Sequence, residues 1–380
     1  MILRVLLIII LALVVVFVAI PLSLRLSGVD LFSSDTGETG FFLQSADQGA
    51  TWRNIAQSED PQLTFTARVQ TLTVHPANPD TLLAGTAGAG LWRSNNQGLS
   101  WIPMFDRTGG LEVSARIYAI AIHPIESRIM YLAAFQQNRG RVFKSENGGE
   151  TFREIYVTTA DGASVFDVLV DRDDPARVMI ATGQGGIIES KNGGISWRPQ
   201  QWFKEGVVRL FANPRDSMER YALAARGNLW KTIDGGQNWI DIPESVSGGT
   251  FAGIQYPPPD AFNFFGFGGI AQSAVSLAFT IDPQNPSTLY AGDAKGLIRS
   301  TDAGFTWQTV DLLIPPQALP IRAIAVEPGN SSTIWVVAGG ELHRTEDYGL
   351  NWHASRLPVQ GIVSLLFIHP FKSDILFIAI

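Results

Sequence analysis

Apolar and polar positions along the chain repeat in a fixed order. A short apolar segment leads into a turn rich in Pro or acidic residues, and a second apolar segment follows, as in VQTLTVHPANPDTLLAG (69–85). Short apolar segments bounded by turn residues are typical of β-strands, so each unit predicts a hairpin of two strands. The seven units are residues 69–85, 117–133, 165–181, 207–223, 276–292, 321–337 and 363–379.

An eight-residue box lies between these hairpins, with the order Ser or Thr, any residue, Asp or Asn, any residue, Gly, any residue, small polar, aromatic. Its copies are SADQGATW (45–52), SNNQGLSW (94–101), SENGGETF (145–152), SKNGGISW (190–197), TIDGGQNW (232–239), STDAGFTW (300–307) and TEDYGLNW (345–352). The carboxylate or amide can bond amides of its own turn, Gly permits positive φ, and the aromatic residue can become buried. The segments flanking each box predict two further strands.

One repeat therefore contains four antiparallel strands and recurs about every 40 to 50 residues, which is typical of propeller blades. The first repeat, from residue 40 to 52, holds only two outer strands, and the last, from 363 to 380, holds only two inner strands. Pairing these ends closes the ring and removes its open edge. The sequence predicts an all-β, seven-bladed β-propeller of four-stranded antiparallel blades over residues 40–380, closed by N- and C-terminal strands.

The N-terminal sequence MILRVLLIIILALVVVFVAIPLSLRL is apolar without interruption from Val5 to Ile20. Its length predicts an N-terminal transmembrane helix within residues 1–26, followed by a linker over 27–39. A cleaved signal peptide is the alternative. Arg4 and Arg25 flank the apolar segment on opposite sides, so charge gives little orientation. We expect a single-pass protein of the cell membrane with its propeller on the extracytoplasmic side.

Composition narrows the classes of partner. The formal net charge is −7 and the chain has no Cys. Negative charge argues against nucleic-acid binding, and the lack of Cys excludes disulfides, thiolate metal sites and a Cys nucleophile. We expect no cofactor.

The boxes match the Asp-box, or bacterial neuraminidase, repeat. Over residues 40–380 the chain resembles the families that carry this repeat: sialidases, sortilin-type propellers, xyloglucan-cleaving glycosidases and photosystem II assembly factor propellers. The resemblance implies the propeller fold and leaves the activity open, because one fold hosts many functions. It also implies a peripheral, structural role for the box residues Asp47, Asn96, Asn147, Asn192, Asp234, Asp302 and Asp347.

The polar residues of the repeats do not predict a metal site. Asp and Asn exchange within the boxes, and no Glu follows the Gly at a fixed spacing. A second polar position, at the turn after the first strand, carries His75, His123 and His369 in three repeats and Asp171, Asn213, Asp282 and Glu327 in the others. Exchange of His for Asp or Asn indicates local hydrogen bonding in a turn.

Three arginines, Arg68, Arg116 and Arg322, precede or begin inner strands and are predicted to approach one mouth of the central channel. The resemblance to the assembly factors implies that they dock acidic segments of a partner protein. Solvated strand ends are the alternative. Tyr118 and Glu112 leave an enzyme open, although no arginine motif of the sialidase kind precedes them.

A further pair of inner-strand residues has opposite charge. Asp167 and Arg209 each lie four residues before the turn position on consecutive repeats. We therefore predict an ion pair between blades, with a structural role.

The spacing between boxes singles out one insertion. Successive boxes lie 49, 51, 45, 42, 68 and 45 residues apart, and the excess falls in residues 243–274. This insertion is rich in Gly and Pro and carries Phe262, Phe264, Phe265 and Phe267. Exposed aromatic residues on a loop favour a binding role, either for protein or for sugar rings. Packing of the insertion against the propeller is the alternative.

From these features we expect a noncatalytic platform that binds or assembles protein partners through the channel mouth and the insertion. A polysaccharide ligand is the second expectation for the same surface. Two other functions stay open: a glycoside hydrolase of the Asp-box type, sialidase-like or xyloglucanase-like, and a carbohydrate-binding or structural protein of the cell envelope.

Overall fold

The computed structural model describes residues 40–56, 68–242, 245–246, 249–250, 278–312 and 314–380. The expected membrane helix (1–26), the linker (27–39) and most of the insertion lie outside these residues. Within the described part of the chain, no helix is both long enough and apolar enough to cross a bilayer.

The described residues form short strands. In chain order they are β1 (Phe42–Ser45), β2 (Arg53–Asn54), β3 (Val69–His75), β4 (Asn78–Thr86), β5 (Leu91–Ser94), β6 (Ile102–Met104), β7 (Arg116–Ile122), β8 (Met130–Gln136), β9 (Arg139–Ser145), β10 (Arg153–Val157), β11 (Val165–Val170), β12 (Val178–Thr182), β13 (Gly186–Ser190), β14 (Arg198–Trp202) and β15 (Val207–Ala212). They continue as β16 (Arg220–Ala224), β17 (Leu229–Thr232), β18 (Ile240–Asp241), β19 (Ser245–Val246), β20 (Gly249–Thr250), β21 (Ala278–Ile281), β22 (Leu289–Asp293), β23 (Gly296–Ser300), β24 (Gln308–Val310), β25 (Ile321–Glu327), β26 (Asn330–Ala338), β27 (Glu341–Thr345), β28 (His353–Arg356), β29 (Leu365–Ile368) and β30 (Leu376–Ala379). A short 3-10 helix, Pro316–Ala318, precedes β25.

In this part of the chain the strands make seven four-stranded antiparallel sheets, which are the blades of a β-propeller. The first to fourth blades are β3–β6, β7–β10, β11–β14 and β15–β18, and the fifth and sixth are β21–β24 and β25–β28. The seventh has the order β2-β1-β30-β29. A two-stranded hairpin, β19-β20, lies between the fourth and fifth blades in sequence.

The predicted closure of the ring is confirmed. Strand β1 pairs with β30, with Phe42 opposite Ala379 and Ser45 opposite Leu376. The seventh blade therefore joins both ends of the propeller sequence, and the closing pairs replace what would otherwise be two free edges.

Packing between blades forms the core. Trp101, the aromatic residue of the second box, is fully buried, and its ring centroid lies 5.5 Å from that of Phe42 on the seventh blade. Phe42 also stacks on Phe377 at 6.0 Å. Box aromatics thus fill the space between neighbouring sheets, as the sequence pattern indicated.

Each box folds as a turn with the same hydrogen bonds. In the second box the Ser94 hydroxyl accepts from the Gly98 N–H at 2.8 Å, and Asn96 Oδ1 accepts from the Ser100 N–H at 3.0 Å. Gly98 has φ +89°, a conformation that favours glycine. Equivalent bonds to the Gly N–H occur in the other six boxes, at 2.7 Å to 3.0 Å.

The turn after the inner strand also repeats its bonding. Asp282 Oδ1 accepts from the N–H groups of Gln284 and Asn285, and His123 Nδ1 accepts in the same way from the N–H of Glu126 at 2.9 Å. An imidazole nitrogen therefore takes the acceptor role of a carboxylate oxygen at this position.

Consecutive strands of each blade run in opposite directions, so the turns and connections lie on two faces of the propeller. One, the box face, carries the box turns and the turns after the inner strands. The other, the loop face, carries the segments that enter the inner strands and the turns between the second and third strands of each blade. The strands that flank the insertion are β18 and β21; β18 ends and β21 begins on the loop face.

Candidate functional site

The three predicted arginines belong to the loop face. Arg68 immediately precedes β3, Arg116 is the first residue of β7, and Arg322 is the second residue of β25. They occupy the first, second and sixth blades. The predicted phenylalanines of the insertion, Phe262, Phe264, Phe265 and Phe267, lie outside the described residues.

Five inner strands carry a register shift after their first or second residue, which leaves one residue per strand outside the ladder at that point. Those residues are Gln70, Tyr118, Phe166, Val208 and Arg322. A bulge of this kind redirects a side chain and is common beside functional sites. Here the bulges sit at the loop-face end of the channel.

Tyr118 does not have the surroundings of a nucleophile. It is 6% exposed, its ring contacts Phe166 at a centroid distance of 5.1 Å, and burial raises the pKa of its hydroxyl. Glu112 instead accepts a hydrogen bond from Gln137 at 2.7 Å. Because burial disfavours the phenolate, Tyr118 acts as a packing residue of the second and third blades.

The predicted Asp167–Arg209 ion pair is replaced by a different contact between the same blades. Asp167 Oδ2 accepts from the Leu210 N–H at 2.8 Å, and Oδ1 accepts from the Val168 N–H at 2.8 Å. Burial raises the pKa of Asp167, while the Arg209 charge and these two amides lower it. A side chain of the third blade therefore bonds to the backbone of the fourth blade. The alignment of repeats found the right residue but the wrong partner.

A cluster that the repeat analysis missed lies where the third blade leads into the fourth. Residues 202–206, with the sequence WFKEG, leave β14 and enter β15. Phe203 N–H donates to Gly185 O at 2.8 Å, and Ala225 N–H donates to Gly206 O at 2.8 Å. A turn from each of two blades therefore holds this segment in place.

Glu205 is the half-buried carboxyl of this segment. Its Oε1 accepts from the Asn228 amide, and its Oε2 accepts from the Arg226 N–H at 3.2 Å. Burial raises the pKa of Glu205 and the charge of Asp241 raises it further, against lowering by Asn228 and Arg226. A carboxyl with a raised pKa at a surface is suited to donate a proton.

Aromatic residues lie close to this carboxyl in the sequence, at positions 202 and 203. Phe203 stacks on Trp230 with ring centroids 3.9 Å apart and meets Trp239 edge-on at 6.2 Å. Trp202 is 55% exposed. Trp230 pairs with Asp241 across strands β17 and β18. An acidic group beside aromatic side chains can bind an uncharged ring and act on it chemically.

The signal for this cluster was present in the sequence. Among the segments that lead into described inner strands, WFKEG combines two aromatic residues with a carboxylate. The hairpin units and the boxes describe what the blades share. This segment differs from the segments that enter the inner strands of the other blades.

Comparison with known proteins supports the propeller fold but not the function expected from the sequence. No family model matches the chain. A xyloglucanase from Paenibacillus sp is 24% identical over 278 residues, covering 68% of this chain and 22% of the relative. A xyloglucanase from Hypocrea jecorina is 24% identical over 287 residues, covering 71% of this chain and 29% of the relative. The chain thus spans less than a third of the length of these curated relatives.

Solved structures give the same architecture. The GH74 xyloglucanase from Xanthomonas campestris superposes with a TM-score of 0.63 and 16% identity, covering 86% of this chain and 52% of that one. YCF48 bound to a D1 peptide superposes with a TM-score of 0.59 and 17% identity, covering 82% of this chain and 93% of that one. At these identities the likeness concerns the propeller fold.

The expectation of a noncatalytic platform for protein binding or assembly is wrong on this comparison. The curated relatives that match in sequence are xyloglucanases, which are enzymes by name. Neither the boxes nor the arginines distinguish an enzyme from a binding protein, because one fold can host both functions.

Proposed function

We propose that the propeller acts as a glycoside hydrolase on a xyloglucan-type polysaccharide, with its site at the 202–206 segment of the loop face. The main support for this proposal is Glu205, a half-buried carboxyl with a raised pKa. It belongs to the same segment as Phe203, which stacks on Trp230. The xyloglucanase relatives support the class of substrate.

Glycoside hydrolysis uses one carboxyl as proton donor and a second as base or nucleophile. Glu205 is our candidate donor, because it has the environment that retains a proton. Each of its oxygens accepts one bond from the protein, so either oxygen has a second position at which it can carry the proton that is donated to the glycosidic oxygen. Asp241 is our candidate second carboxylate: it is exposed, and its charge acts on Glu205.

Strand pairing holds the backbone of Asp241, and hydrogen bonds hold the carboxyl of Glu205. Asp241 ends β18, opposite Trp230 on β17, and Glu205 is bonded to the 225–228 turn of the same blade. Pre-arrangement of this kind is what a proton-transfer site requires. A carboxyl on a freely moving loop would lose much of that benefit.

The test is release of reducing sugar from xyloglucan by the full chain, with Glu205→Gln and Asp241→Asn compared at equal concentration. Loss of general acid catalysis lowers the rate by about 10²- to 10⁴-fold. Glu205→Gln keeps the shape and one of the two acceptor oxygens, so xyloglucan binding measured by affinity electrophoresis is expected to persist.

Glu112→Gln is the matched control, because Glu112 also accepts an amide hydrogen bond on the loop face but belongs to the second blade. It is expected to cleave like the unchanged protein. Equal cleavage by Glu205→Gln, or no cleavage by the unchanged protein, would contradict the proposed activity.

A further inference from the structure

We propose that Trp202 is a stacking platform for one sugar ring of a β-1,4-linked glucan backbone, separate from the proton-transfer group. This inference rests on the proposed function and adds to it a binding residue and the chemistry of the ring that it takes. Three observations support it: the packing of Trp202 on the sheet, the polar residues near it, and the contacts that hold the backbone beside it.

Trp202 lies over a glycine. It pairs with Gly186 across β14 and β13, and a Cβ at Gly186 would come within 2.9 Å and 3.0 Å of atoms of the indole six-membered ring. The absence of a side chain at residue 186 therefore lets the indole rest on the sheet. With 55% of the residue exposed, much of the indole remains open to solvent.

The backbone beneath the indole is anchored. The Phe203 N–H donates to Gly185 O, and Gly185 itself, at φ +91°, packs so closely that a Cβ there would overlap the Phe203 carbonyl oxygen. Phe203 is further held by its stack on Trp230. Binding to a fixed platform loses less conformational entropy than binding to a mobile one.

The surroundings favour a pyranose over a purely apolar partner. Exposed Lys204 lies two residues after Trp202 in the sequence, and Glu205, which is hydrogen-bonded to Asn228, comes one residue later. A β-linked glucose ring has C–H groups on both faces and hydroxyls around its edge, so it matches an apolar disc with a polar border. An aliphatic or aromatic protein side chain would leave that border without hydrogen-bond partners.

The experiment is titration calorimetry with cellohexaose and with xyloglucan oligosaccharide, using the full chain with Glu205→Gln so that the ligand is not consumed. Adding Trp202→Ala is expected to weaken binding of both by tenfold or more. Adding Trp202→Phe, which retains a ring, is expected to recover most of that loss. Adding Gly186→Ala is expected to weaken binding as well, because the new methyl group displaces the indole.

Phe305→Ala is the matched control, since Phe305 is 61% exposed but belongs to a box turn on the other face. It is expected to leave both affinities unchanged. Thermal melting of each variant separates lost binding from lost folding. Affinities within twofold of the parent for Trp202→Ala, or no binding of either ligand by the parent, would overturn the proposal.

The two proposals fail differently. Cleavage of xyloglucan with affinity independent of Trp202 would refute the platform and leave the hydrolase intact. Binding that depends on Trp202, together with equal cleavage by the unchanged protein and Glu205→Gln, would refute the catalytic assignment and leave the platform intact.

Discussion

The two faces of the propeller use the same strands in opposite ways. On the box face, seven turns repeat one set of hydrogen bonds from a Ser or Thr hydroxyl to a Gly N–H. On the loop face, the turns and entering segments differ in length and composition from blade to blade. Repetition in this chain therefore identifies the residues that hold the blades, and departure from repetition identifies where chemistry is located.

Two tryptophans offer the largest contrast between the faces. Trp101 is fully buried in the core, while Trp202 is 55% exposed. We expect Trp101→Ala to lower the free energy of unfolding by about 3 to 5 kcal/mol, because it leaves a large cavity. Trp202→Ala is expected to cost under about 1 kcal/mol. Denaturant titration of both variants checks this, and equal losses would contradict the separation of roles.

The box turn predicts the next largest effect. Ser94 is buried, and its hydroxyl accepts from the Gly98 N–H. Ser94→Ala leaves that amide without its partner, at a cost of about 1 to 3 kcal/mol. Denaturant titration is again the measurement, with xyloglucan cleavage as the second readout. A loss of cleavage without a loss of stability would place function on the box face. That result would contradict the assignment of separate roles to the two faces.

Ring closure predicts a dependence on pH. His369 is buried, its Nε2 lies 2.8 Å from Pro79 O on the first blade, and burial lowers its pKa below the usual 6.5. The unfolded chain then binds the proton first, so stability is greatest above about pH 6.5 and falls as pH is lowered through that value.

His369→Asn keeps an acceptor for the turn, as Asn213 does at the equivalent position, and removes the titrating group. At pH 7.5 it is expected to be less stable by about 1 kcal/mol, through loss of the bond to Pro79. The difference should narrow at pH 5. A difference that stays constant between these pH values would contradict the assigned protonation.

The smallest expected effect concerns the loop-face carboxyl. The Asn228 amide lowers the pKa of Glu205, so Asn228→Ala is expected to raise that pKa and move the basic limb of the cleavage profile to higher pH. The maximal rate should change by less than about tenfold. A shift to lower pH would show that another group is the proton donor.

The architecture was accessible to sequence reasoning because every blade repeats it. Turn residues, apolar strands and buried box aromatics recur with one period, and the partial repeats at the two ends imply their own pairing. The register from Phe42 opposite Ala379 is the direct outcome. Position in the repeat also predicted that His123 would bond within its own turn, as the structure shows.

The candidate site was not accessible in the same way. Glu205 and Trp202 occupy a segment that no other blade reproduces, and the raised pKa of Glu205 depends on burial and on Asp241 from a different strand. The Asp167 contact shows a similar limit, since its hydrogen-bond partner on the next blade is the backbone of Leu210, while Arg209 acts on it only through its charge. A repeated pattern of side chains in the sequence does not indicate which backbone groups those side chains will bond.

The most direct test of a glucan site on the loop face is hydrogen exchange of the Glu205→Gln protein with and without xyloglucan oligosaccharide. The account predicts slower exchange in peptides covering residues 198–206 and 220–229, with box-face peptides such as 94–101 unchanged. Protection confined to the box face, or no protection at ligand concentrations that saturate binding, would contradict it.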